Sequence, residues 1–83
     1  MRQILAPDGT LTGQSPLPVE HVVRLFEAMV TARRYDHKSI SLQRQGRLAT
    51  YAPFEGQEAA QLASVACLRP EDWLVATYRD AAA

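Results

Sequence analysis

The sequence has one cysteine, Cys67, and so no disulfide to reinforce a chain of 83 residues. Without cross-links, a chain of this length buries only about 60 to 65% of the surface its unfolded form exposes, and its stability is marginal. A solitary cysteine in an apolar run reads as a small buried side chain rather than a nucleophile, and it suits a reducing compartment better than a secreted one. Neither sign of charge is in surplus. Nine Lys/Arg balance nine Asp/Glu, whereas a non-specific nucleic-acid binder needs a basic excess. The apolar runs are far too short to span a bilayer. The opening residues, MRQILAPDGTLTG, contain neither the apolar core of a secretory signal nor an Arg/Ser-rich leader. These absences lead to the expectation of a soluble cytoplasmic protein, or a piece of one, with no nucleic-acid or membrane partner. No Cys/His cluster has zinc spacing and no Asp-rich loop suits calcium. His21 and His37 stand apart and read as solvated or structural. Internal repeats and low-complexity tracts are missing as well.

What is present reads as a mainly α segment. Arg2-Gln3-Ile4-Leu5, the turn Pro7-Asp8-Gly9 and Thr10-Leu11-Thr12 have the chemistry of a short hairpin, which alone is marginally stable at best. GQSPLP is a linker, so residues 1–17 form a hairpin and linker ahead of a helical segment over 18–83. Pro18 suits a first helical turn, and Glu20 suits the positive end of a helix dipole. Val22, Leu25, Phe26, Met29 and Val30 then recur at spacings of three and four, which predicts one face of a long helix. No glycine or proline intervenes before Gly46, so the helix is expected from about Pro18 to Gln45. Arg47 to Phe54 is an extended connection, with Pro53 holding Ala52 away from helical angles. A second, alanine-rich helix is expected from near Glu55-Gly56, with Ala59, Leu62, Ala63, Ala66 and Cys67 as a close-packing face. Arg69-Pro70 ends it, and the apolar run from Trp73 to Thr77 predicts a short buried strand.

Three groups of residues carry possible chemistry. Arg33, Arg34, Lys38, Arg44 and Arg47 make a basic half-helix; it is either a phosphate or acidic-partner surface or, more plainly, a solvated face partnered by Asp36 and Glu27. Glu55 and Glu58 are either a paired acid and base or, more plainly, complements to a helix N-terminus. Tyr78-Arg79 closes the apolar run. In open α/β folds ligands gather at the carboxyl ends of strands, and an arginine fork beside a tyrosine hydroxyl suits a phosphate. The plainer reading is a surface salt bridge from Arg79 to Asp80 or Asp72.

The order of a helix ending in LQRQGR, then TYAPFEGQEAAQ, LRPEDW and TYRD resembles the N-terminal part of the α subunit of the thiamin-diphosphate-dependent decarboxylase component of 2-oxo acid dehydrogenase complexes. The bacterial pyruvate dehydrogenase type is the nearest in character. The likeness is weak over residues 1–17 and strong from about Ala32 to Asp80. It implies a chain that continues into an α/β thiamin-diphosphate-binding fold, so that the present segment is truncated. It also implies that Tyr78 and Arg79 help to hold the cofactor's diphosphate. Tyr51 and Phe54, within the matching TYAPFEG stretch, are candidates for the substrate pocket.

The family's Gly-Asp-Gly motif, which serves Mg²⁺ and the diphosphate, has no counterpart in these residues, and the acid that activates the thiamin ring belongs to the β subunit. No catalytic residue and no metal ligand is therefore expected in this segment. Ala81 stands where many pyruvate-type members carry a histidine, which leaves pyruvate and branched-chain 2-oxo acids both open as substrates. The implied activity is oxidative decarboxylation of a 2-oxo acid with acyl transfer to a lipoyl carrier. The implied partners are the β subunit, in a heterotetramer, and the lipoyl acyltransferase core. The 83-residue chain alone is expected to be inactive. The rival reading is a non-catalytic helical interaction module, or remnant, that keeps the subunit-docking surface.

Overall fold

Two helices, α1 (Val19–Arg44) and α2 (Glu58–Ala66), carry the regular structure of the computed structural model, which describes residues 3–83. The helix expected from about Pro18 to Gln45 is present with its ends one residue inside those limits. Its 26 residues span about 39 Å at the α-helical rise. Pro18 stands just outside it, with φ −59° and ψ 151°, and its carbonyl accepts from the N–H groups of His21 and Val22. At the other end Gly46 adopts φ 71°, the left-handed region that a glycine enters without cost. The N–H of Gly46 then reaches the Gln43 carbonyl and that of Arg47 the Leu42 carbonyl, both at 2.9 Å. That pair of bonds is a Schellman motif, and it satisfies carbonyls the helix would otherwise orphan.

The N-terminal turn also forms. Leu5 and Leu11 make an isolated antiparallel bridge, Ala6 N–H donates to the Thr10 carbonyl at 2.8 Å and Thr12 N–H to the Ile4 carbonyl at 2.9 Å. Asp8 Oδ1 accepts from Thr10 N–H at 2.9 Å, which holds the Asp8 carboxyl below its ordinary value. The expected hairpin is thus reduced to one bridged turn, and its first residue, Arg2, lies outside the described residues.

Three expectations need correction. The second helix opens at Glu58, not at Glu55-Gly56, which form a turn in which Gly56 takes φ 89°. Its inward side is also not the small-residue face: Ala59, Ala63, Ala66 and Cys67 are exposed, while Glu58 and Gln61 are buried. The polar residues turn inward because each has partners there, as described below. The final short strand over Trp73 to Thr77 is likewise not formed. A strand is stabilised by a ladder partner, and no strand among the described residues is available to it. Trp73 and Val75 are 91% and 92% exposed.

Burial is concentrated at one junction. Phe54 is the buried apolar residue of the described chain, joined by the polar Asp36, Ser39, Glu58 and Gln61. The radius of gyration, 15.3 Å, exceeds the roughly 12 Å of a compact domain of this length. Helix α1 leaves Val19, Val22, Val23 and Phe26 uncovered. Polar and ionic contacts, rather than an apolar core, therefore join α1, the 51–57 connection, α2 and the C-terminal segment.

Candidate functional site

Asp36 is the centre of that junction. It lies on α1, is fully buried, and its Oδ1 accepts from the Tyr51 hydroxyl at 2.6 Å and from the Phe54 N–H at 3.0 Å. Its Oδ2 is buried without a partner among the described residues. Burial, and the Asp36 carboxylate beside it, push the Tyr51 phenol well above its ordinary value. The Tyr35 ring covers this corner, stacked with Phe54 at 6.5 Å and edge-on to Tyr51 at 6.3 Å between centroids. The connection from Tyr51 to Phe54 is thereby fixed to α1.

The two glutamates make a second tie. Glu58 Oε1 receives Arg33 Nε, and its Oε2 accepts from Gly56 N–H at 2.9 Å. The Arg33 guanidinium, followed by backbone N–H groups, holds the Glu58 carboxyl down to about 2. Glu55 contacts Arg33 at 3.4 Å and His37 Nε2 at 2.9 Å. Arg33 and Glu58 thus clamp α1 to the start of α2. Glu58 does complement a helix N-terminus, but it does so with a cation from the other helix bound to it. His37, read as solvated or structural, is in contact with Glu55.

Tyr78 and Arg79 sit in a turn held to this frame. Asp80 closes the turn by accepting from Thr77 N–H at 2.8 Å and Thr77 Oγ1 at 2.7 Å. Asp72 accepts from Arg69 N–H at 2.8 Å. Neither aspartate pairs with Arg79, so the plainer ion-pair reading does not describe this arginine. Its Nη1 donates instead to the Pro53 carbonyl at 2.7 Å, and its guanidinium carbon lies 5.5 Å from the centroid of the Tyr78 ring. A guanidinium has five N–H donors, and among the described residues the Pro53 carbonyl is the acceptor Arg79 meets. Donors are left over for an anion.

A shallow hollow of about 400 Å³, lined by Thr50, Tyr51, Ala52 and Tyr78, opens beside this pair. The structure therefore brings Tyr51 and Tyr78 together, with Arg79 against the neighbouring Pro53. Phe54 is not on that surface: it is fully buried, under Tyr35. Among the described residues no group of three or more His, Cys, Asp or Glu could hold a metal ion. No described helix is long and apolar enough to cross a membrane.

Sequence reasoning missed Asp36 and Gln61 as organisers. Asp36 resembles any helix-surface acid until the distant Tyr51–Phe54 segment folds over it. Gln61 gave a fainter signal, a long polar side chain within the small-residue run EAAQLAS.

Residues 26–83 match the family described as "Dehydrogenase E1 component". The 3-methyl-2-oxobutanoate dehydrogenase subunit alpha of Mycobacterium tuberculosis (strain ATCC 25618 / H37Rv) is 48% identical over 82 residues, covering 94% of this chain. The pyruvate dehydrogenase E1 component subunit alpha of Staphylococcus epidermidis (strain ATCC 12228 / FDA PCI 1200) is 49% identical over 83 residues, covering 96%. Its counterpart in Staphylococcus aureus (strain COL) is 48% identical over 83 residues. The matched part is 22% of the length of each of these relatives. No solved structure matches. With more than half of its residues matched, the chain belongs to the dehydrogenase E1 component family.

Proposed function

We propose that this chain is the segment of a 2-oxo acid dehydrogenase E1 α subunit that grips the diphosphate of thiamin diphosphate through Arg79 and Tyr78. One observation carries the reading: the Arg79 guanidinium is fixed by the Pro53 carbonyl, meets no carboxylate among the described residues, and has donors to spare beside a hollow. A planar fork with free donors matches the oxygens of a diphosphate, and an exposed tyrosine hydroxyl adds a further bond. When bound, the cofactor supplies the electron sink for loss of CO₂ from the 2-oxo acid. The residues of this chain bind and orient. Arg79 and Tyr78 hold the anionic end, while Tyr51, whose hydroxyl is tied to Asp36, forms a fixed wall of the hollow. The Mg²⁺ that accompanies the diphosphate would be held by residues outside this segment, which brings no three His, Cys, Asp or Glu side chains together among its described residues.

The reaction is oxidative decarboxylation of the 2-oxo acid with transfer of the acyl group to a lipoyl carrier. Relatives named for pyruvate and for 3-methyl-2-oxobutanoate match equally well, so the proposal extends to the 2-oxo acid class. Residues 18–83 lead into an α/β cofactor-binding domain, and the partners are the β subunit and the lipoyl acyltransferase core. The uncovered stripe Val19, Val22, Val23 and Phe26 on α1 is a surface for such packing, because a contiguous apolar patch on a helix marks an interaction site.

The test is cofactor affinity in the full-length subunit assembled with its β partner. Arg79→Ala should weaken thiamin diphosphate binding by about 10- to 150-fold, the range for a charge-assisted hydrogen bond of roughly 1.5 to 3 kcal/mol. The rate at saturating cofactor should change little, because the contact is the same in ground and transition states. Unchanged affinity would remove Arg79 from the site.

A further inference from the structure

We propose that Gln61 is the positioning residue of the diphosphate grip: its side-chain amide fixes the turn that carries Tyr78 and Arg79, and so sets the aim of the guanidinium. This rests on the role given to Arg79 above.

Gln61 lies on α2 and is 8% exposed. Both ends of its amide are engaged. Nε2 donates to the Arg79 carbonyl at 3.0 Å, and Oε1 accepts from the Ala82 N–H at 3.0 Å. Gln57 Oε1, one helical turn earlier, lies 3.4 Å from the same Nε2. A donor and an acceptor on one planar group thus meet an acceptor and a donor on the backbone three residues apart, as a neighbouring strand would do in a ladder. No such strand exists among the described residues.

The bonds of the turn from Thr77 to Asp80 to itself run through Asp80. They fix its shape but not its placement on the frame. Placement comes from Gln61 and from the bond of Arg79 to the Pro53 carbonyl. Pro53 in turn sits in the connection that Asp36 fastens to α1. The guanidinium is therefore held at two points: its main chain by Gln61, its tip by Pro53. A buried amide among alanines is costly unless both ends are satisfied, and here the partner of each end belongs to the cofactor-gripping segment. A fork meant to meet an anion needs its geometry held to within about half an ångström, which comes from a supporting layer of this kind.

The experiment is a double-variant cycle in the full-length subunit assembled with its β partner, with affinities for thiamin diphosphate and for inorganic diphosphate measured by titration calorimetry. The variants are Gln61→Met, Arg79→Ala and the pair together; methionine keeps the length of the side chain and deletes its hydrogen bonds. Gln61→Met should weaken both ligands by about 3- to 10-fold, the effect of one or two neutral hydrogen bonds. Most of that loss should disappear when Arg79 is already alanine, because Gln61 acts chiefly through it. A full additional loss in the double variant, or no loss in Gln61→Met beside a clear loss in Arg79→Ala, would overturn the role of Gln61 alone. An Arg79→Ala variant that binds both ligands as tightly as the parent would overturn the diphosphate reading instead. If Gln61→Met does not assemble, Gln61→Glu takes its place. Its carboxylate still accepts from Ala82 N–H but cannot donate to the Arg79 carbonyl. Affinity relative to the parent should then recover as the pH is lowered and the carboxyl regains a proton; no recovery would count against the proposal.

Discussion

Asp36 offers two substitutions with opposite expected outcomes. It is fully buried, and both of its protein bonds fall on Oδ1: the Tyr51 hydroxyl at 2.6 Å and the Phe54 N–H at 3.0 Å. Asp36→Asn keeps an oxygen at that position and removes a buried charge. The new amide nitrogen lies where Oδ2 has no partner among the described residues, so one unsatisfied atom replaces another. The net change should lie within about 1 kcal/mol of zero, since neutralising a poorly paired buried charge offsets the loss of charge assistance. Asp36→Ala deletes the acceptor and leaves the Phe54 N–H buried without a partner. That should cost about 2 to 4 kcal/mol. Hydrogen exchange at the Phe54 amide reads the difference directly, since local opening governs its protection. Asp36→Ala should speed exchange by roughly 30- to 700-fold, at tenfold per 1.4 kcal/mol, and Asp36→Asn by less than about tenfold. A second readout is the alkaline titration of Tyr51. Its phenol is raised first by burial and then by Asp36, so Asp36→Asn should bring it part of the way down. The raised value means that Tyr51 stabilises the fold below pH 10 and that this contribution is lost as the pH climbs through the folded-state value. If asparagine and alanine speed Phe54 exchange equally, the hub works by charge and the acceptor argument fails.

The remaining expectations concern the second tie, a backbone position and the chain by itself. The Glu58 carboxyl is lowered from 4.5 to about 2, so its stabilising effect is present above pH 4.5 and is lost as the pH falls through about 2; acid unfolding of Glu58→Gln should show a correspondingly weaker dependence on pH in that window. Gly46→Ala should destabilise α1 by about 1 kcal/mol through left-handed backbone strain. Nothing lies within 4 Å of the added carbon, so a larger loss in thermal unfolding would point to a contact the geometry does not contain. The 83-residue chain, supplied with thiamin diphosphate, Mg²⁺ and pyruvate, should release no CO₂ above background, as it assembles no metal ligand set among its described residues.

Local chemistry made the long helix legible. The spacing of Val22, Leu25, Phe26 and Met29 located α1, and Gly46 located its end, because apolar period and a left-handed cap are properties of neighbouring residues. The strand expected over Trp73 to Thr77 failed for the opposite reason. Its apolar composition states that the run should be covered, and not by what. With no ladder partner among the described residues it stays irregular and exposed. The alanine face of α2 misled in a related way. Small apolar residues suggest close approach, but burial followed Glu58 and Gln61, whose partners Arg33, Arg79 and Ala82 lie far away in sequence.

The candidate site divides along the same line. Tyr78 and Arg79 stood out as candidates because a cationic fork beside a tyrosine has a chemical meaning wherever it is placed. What holds them was not readable, because an acid at 36 and an amide at 61 acquire their roles only when residues 51–54 and 79–82 fold against them. The consequence is physical. Since Phe54 is the buried apolar residue of the described chain, dispersion and burial contribute little to the placement of Arg79. That placement depends on a short series of directional bonds: Asp36 to the 51–54 connection, Pro53 to the guanidinium, and Gln61 to the main chain. Directional bonds lose their effect with small displacements, whereas apolar packing yields gradually. The aim of Arg79 should therefore respond sharply to single polar substitutions on α1 and α2, and only weakly to changes of apolar volume along the exposed stripe of α1.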